Sequence, residues 1–146
     1  MGSCVSLFIW YAAVFGKSVP SISLLLNLAR IGFFAALIFT FYSAVIPPTY
    51  ALQLFPWDKA EHFIAFYGLT GLAVAAFPRR NLFLIAGLLS ACGALIELLQ
   101  ALPVVHRDCD PWDWVADTTA IIAALAPMLL VWWRRQISSG QKNIEI

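Results

Sequence analysis

Charge is scarce in this chain: Asp, Glu, Lys and Arg make up 12% of its 146 residues, against roughly 25% in an ordinary soluble domain. Hydrophobic residues reach 62% and the mean hydropathy is +0.83. Together these exclude a water-soluble fold and leave an integral membrane protein. The three cysteines are an odd number without C-x-x-C spacing, so they outline neither a disulfide framework nor a thiolate metal cage. Cys92 falls mid-helix as a small packing residue, Cys4 is terminal, and Cys109 sits on a loop where oxidation would matter. No linker, internal repeat or low-complexity tract interrupts residues 1–146, which read as a single domain. A net charge of +1 gives nucleic-acid binding no support. No Ser or Cys nucleophile accompanies the candidate triplet of His62, Asp58 or Asp113, and Glu97, which counts against acyl-enzyme chemistry.

What the chain does have is long apolar runs. About 20 residues at 1.5 Å each cross roughly 30 Å of hydrocarbon, and four runs meet that length: Leu24 to Ile46, Asp58 to Phe77, Leu82 to Leu102 and Asp113 to Trp133. Proline pairs or single prolines follow the first three at Pro47-Pro48, Pro78 and Pro103. Asp58-x-x-Glu61 after Pro56-Trp57 predicts an N-cap with a capping box. Pro127 inside the last run predicts a kink, and Trp132-Trp133-Arg134-Arg135 an aromatic belt beside a basic anchor. The expected fold class is all-α: a polytopic membrane bundle of four transmembrane helices, with a core of about 24–135. Cys4 to Phe15 adds an apolar segment too short for a full span, without the features of a secretory signal.

Charges sort along this thread. Lys17, Arg30, Arg79, Arg80, Arg134, Arg135 and Lys142 fall at one face, which the positive-inside rule makes cytoplasmic. The chain is then a multi-pass protein of the inner membrane with both termini cytoplasmic. Most acids and both histidines gather at the opposite, outer end. Asp58 and His62 are four apart and share a helical face, so a carboxylate can orient an imidazole. Glu97 and Gln100 are three apart on another helix, and a carboxylate at that depth costs about 2.5–3.5 kcal/mol unless it has a partner or a proton. A structural ion pair of Glu97 with Arg107 or Lys59 is the plainest expectation. Asp110, Asp113 and Asp117 recur at helical spacing into the last span. Helix-dipole complementarity accounts for the first two, while Asp117 lies a turn deeper. Trp112 and Trp114 read as interfacial anchors.

Asp58-Lys59-x-x-His62 followed by Phe63, Phe66 and Leu69, then Glu97-x-x-Gln100, then Arg107-x-x-Asp110-x-x-Asp113 with a polar residue at 117, resembles the VanZ-like membrane proteins in order and spacing. The resemblance covers roughly Ile31 to Trp133; Asp117 stands where that family usually has Asn, and Ala120 where it has Gly. It implies a bacterial inner-membrane protein acting at the cell surface, in a family named for lowered susceptibility to teicoplanin. Two function classes follow. In a cell-envelope modulator, Asp58, Lys59, Gln100, Arg107, Asp110 and Asp117 line a pocket for an anionic lipid, a cell-wall precursor or a glycopeptide head group. In an enzyme acting on a lipid-linked substrate, His62 is general acid or base, Asp58 or Asp113 orients it, and Glu97 is a buried carboxyl. Partners are membrane lipids. No cofactor is expected, because His62, Glu97 and Asp113 lack a dense metal-ligand motif. Proton transport would want acids nearer the midplane. Gly68, Gly71, Gly87 and Gly93 offer close helix approach within or between subunits, and the oligomeric state is left open.

Overall fold

A computed structural model describes residues 21–47, 50, 55–105 and 107–142, and among these it is all-helical. The apolar segment expected at Cys4 to Phe15 lies outside the described residues. Helix α1 runs Ile22–Val45, α2 Asp58–Ala76, α3 Leu82–Gln100 and α4 Pro111–Lys142. Ser21 caps α1 by accepting from the Leu24 amide at 3.3 Å, and Asn81 caps α3 by accepting from Phe83 at 2.8 Å. Past Gln100 the chain tightens into i→i+3 bonding, with Leu102 N–H donating to Leu99 O at 3.1 Å, so the regular helix stops before the expected Leu102.

Two ends differ from expectation. The cap position of α2 belongs to Trp57, which makes no side-chain bond, while Asp58 is already the first helical residue. Glu61 therefore does not reach back to close a capping box; its Oε1 accepts from the Phe55 amide at 3.0 Å and holds the entering chain instead. Helix α4 starts two residues early, because Asp110 is an N-cap: its Oδ1 accepts from Trp112 N–H at 3.0 Å. Pro111 then takes the first helical position, where its missing N–H costs nothing. The helix continues through Pro127 to Lys142, beyond the expected Trp133.

Three helices are long and apolar enough to cross a membrane: α1, α3 and the part of α4 over Pro111–Arg134. Their outward faces carry exposed Leu28, Ile38, Leu88, Leu98, Ile122 and Leu130, a surface suited to hydrocarbon rather than water. Helix α2 has four polar residues in its first five, and in the fold it occupies the middle, packed against each of the other three. Phe66, Leu69, Thr70, Ala73 and Ala76 recur at helical spacing and are buried. The Thr70 hydroxyl donates to Phe66 O at 2.7 Å, so no polar group is stranded there. Ile85, Leu89 and Ile96 of α3 and Ala120, Ile121 and Leu125 of α4 close the same core. Among the described residues α1 meets α2 and α3 but not α4.

Lipid tails are as apolar as leucine, so burial alone gains little between these helices, and close contact must supply the cohesion. Gly93 shows where contact is closest: a Cβ built there would lie 2.6 Å from Asp117 Oδ2. Gly68, Gly71 and Gly87 have nothing within 4 Å of a built Cβ and bring no helices together within the chain.

Candidate functional site

The antiparallel thread brings the C-termini of α1 and α3 and the N-termini of α2 and α4 to one end. Those two N-termini supply the histidine, the lysine and most of the acids. Lys59 Nζ lies 2.5 Å from Asp110 Oδ2 and 3.0 Å from Asp113 Oδ1, tying the first turn of α2 to that of α4. One turn deeper His62 Nδ1 lies 3.0 Å from Asp117 Oδ1, with Asp117 fully buried. The acid that holds the imidazole is thus Asp117, across the helix pair, rather than Asp58 or Asp113. A neutral imidazole donating Nδ1–H to this carboxylate keeps its Nε2 lone pair free.

Glu97 is not in an ion pair with Arg107 or Lys59 among the described residues. Its Oε2 accepts from the Asp110 amide at 3.1 Å, while Oε1 is buried without a hydrogen-bond partner among the described residues. Instead the Asp110 amide, projecting across the end of α3, is the donor that meets Glu97 Oε2. Asp117 Oδ2 is likewise buried without a partner, facing Gly93.

Arg107 and Gln100 turn toward α1. The guanidinium donates from Nε to Ile46 O and from Nη2 to Ser43 O, both at 3.2 Å, and Gln100 Nε2 donates to Ala44 O at 3.2 Å. Carbonyls in the last turn of a helix lack intrahelical donors, so a cation and an amide satisfy them here. A side chain expected to hold an anionic ligand thus commits two donors to the end of a helix, although Arg107 still lines the cavity described next.

Between α1 and α2 lies a cavity of about 350 Å³. Asp58, Glu61, His62 and Arg107 line its polar end, and Ala36, Phe39, Ile64, Leu69 and Leu72 its apolar remainder. Outside the helices, the hydrogen bond from Lys59 holds the Asp110 carboxyl below its ordinary range. Partial desolvation and the nearby Glu97 charge push the Cys109 thiol up, which keeps it protonated and a poor nucleophile.

Sequence reasoning missed Gly93 as the seat of Asp117 and missed the seam joining α3 to α4. In that seam Trp114 Nε1 donates to Ser90 O and Oγ at 3.1 Å, and Ser90 Oγ shares a hydrogen bond with Thr118 Oγ1 at 3.0 Å. Ser90 and Thr118, polar residues inside two apolar runs, were the available signal. No family model matches the chain, and neither does any curated protein or solved structure.

Proposed function

We propose that this chain is a VanZ-like protein of the bacterial inner membrane that takes the polar head of an amphiphile, such as a lipid-linked cell-wall precursor, into its outward-facing end and so modulates glycopeptide susceptibility. The observation that carries this reading is the two-part lining of the cavity between α1 and α2. A head group would meet Asp58, Glu61, His62 and the remaining Arg107 donors, and an acyl or isoprenoid chain would lie along Ala36, Phe39 and Leu72. Helix α2 acts as a fourth span: its 19 residues cover about 28 Å at 1.5 Å each. Its polar first turn stands level with the polar ends of its neighbours. Exposed Arg79, Arg80 and Arg134 then lie on the cytoplasmic side with both termini.

A second reading is favoured by one contact. Held through Nδ1 by Asp117, His62 keeps Nε2 available at the polar end of the cavity, as a general acid or base in head-group transfer or hydrolysis would require.

Gly68 lines the cavity and a Cβ built there meets nothing within 4 Å, so Gly68→Phe projects a ring into the tail channel. Lipid co-purifying with the protein, read by mass spectrometry, should be lost in Gly68→Phe while thermal stability is kept. Equal lipid retention in both proteins would sink the reading.

A further inference from the structure

We propose that Asp58, His62 and Asp113 form a binding site for a divalent transition-metal cation of the zinc class at the polar end of the cavity. One ligand atom from each residue lies within 4.8 Å of the others. Tetrahedral coordination at about 2.0–2.2 Å sets donor atoms roughly 3.4 Å apart, and rotation of the exposed Asp58 carboxyl closes the remaining gap. Each of these residues also keeps a ligand atom that no hydrogen bond uses among the described residues. Among the described residues, Asp58 makes no hydrogen bond or ion pair, and Asp113 uses only Oδ1, toward Lys59. An imidazole with two carboxylates suits zinc or manganese better than magnesium or calcium.

Two independent observations point to a cation rather than to acids that merely adjoin. His62 Nδ1 is held by a fully buried carboxylate, the outer contact that fixes ring orientation and tautomer in metal-bound histidines. The acids around it also outnumber the cations: the carboxyls of Asp58, Glu97, Asp110, Asp113 and Asp117 gather at one ammonium, Lys59, while Arg107 is turned to α1 carbonyls. Among the described residues, buried Glu97 Oε1 and Asp117 Oδ2 have no hydrogen-bond partner, and Glu97 is near enough to His62, Asp113 and Asp117 to feel all three. A divalent ion among the ligands lowers the cost of these carboxylates, which a bilayer otherwise makes high. Asp58 and His62 both line the cavity, so the coordination position left open by three protein ligands faces whatever occupies it.

The site stands on side-chain geometry and is independent of what the cavity takes. The full chain in detergent, stripped with a chelator, is titrated with Co²⁺, and stoichiometry and visible d–d bands are read. One Co²⁺ per chain is expected, abolished in Asp58→Asn and in His62→Gln. Asp117→Asn, which alters only the outer contact, should weaken binding by about 10–100-fold. Asp108→Asn, at an exposed neighbouring acid, should bind like the parent. Folded parent protein that takes up no stoichiometric Co²⁺, or equal affinity in parent and Asp58→Asn, overturns the proposal. Because Asp58 is exposed and unbonded, that variant decides the matter even if His62→Gln fails to fold. Lipid retention does not enter this readout, so loss of the amphiphile reading leaves the result standing.

Discussion

The two ends of the bundle are built from different materials. At the basic end the contacts are aromatic: Phe33 meets Phe77 edge-on at 5.7 Å, Phe34 meets both, and the Arg30 guanidinium lies 6.0 Å over the Phe77 ring. Arg79, Arg80 and Arg134 there are exposed. At the acidic end Glu97, Asp113 and Asp117 are buried, and helices are joined by charged hydrogen bonds over short distances. Charges left exposed, as these are, cost little. Withdrawing carboxylates from solvent is expensive, and among the described residues the acidic end alone accepts that cost. This is the physical ground for the proposal that places function there.

Substitutions on one helix sharpen the contrast most. Gly93→Leu must displace Asp117 and through it His62, so a loss of about 1–3 kcal/mol or more is expected in reversible unfolding. Gly87→Ala, nearer the basic end of the same helix, meets nothing within 4 Å and should gain roughly 0.5–1 kcal/mol through helix propensity. Equal effects at both positions would erase the distinction between the ends. Next in size is Arg107→Met, which strips charged donors from Ser43 and Ile46 carbonyls. About 1.5–3 kcal/mol should be lost, with faster amide exchange confined to the last turn of α1. A smaller effect belongs to pH. Because Lys59 depresses the Asp110 carboxyl, its stabilisation is complete above the ordinary carboxylate value near 3.8 and is lost as pH falls through the depressed one. Melting temperature of the parent should therefore fall on acidification more than that of Asp110→Asn. Least of all, Arg79→Gln should stay within about 0.5 kcal/mol, as exposed substitutions do.

Helix boundaries were largely legible because prolines and caps act locally: Pro47, Pro78 and Pro103 each follow a helix end within three residues. The capping box at Asp58 misled, since whether a residue is the cap or the first helical position depends on backbone angles at Trp57 that the side-chain pattern does not specify. That Asp58, Lys59, His62, Glu97 and Asp113 share one end follows from helix lengths and alternating direction, which sequence carries. Which carboxylate meets which cation does not follow, because pairing depends on which helix is central. Nothing in the chain's polarity shows that α2 touches all three neighbours, and so Asp117 rather than Asp58 became the partner of His62, and Arg107 went to α1.

Asp110 joins three helices through three separate atoms: Oδ2 to Lys59 of α2, the amide to Glu97 of α3, and Oδ1 to Trp112 of α4. The connection from α3 to α4 is therefore held to length, and adding or removing one residue between Ala101 and Asp108 would strain the joint from the Asp110 amide back to Glu97 while leaving the local Trp112 cap untouched. Epitope tags and reporter fusions belong elsewhere, for instance at the short turn carrying Arg79 and Arg80, where no such triple fastening constrains length.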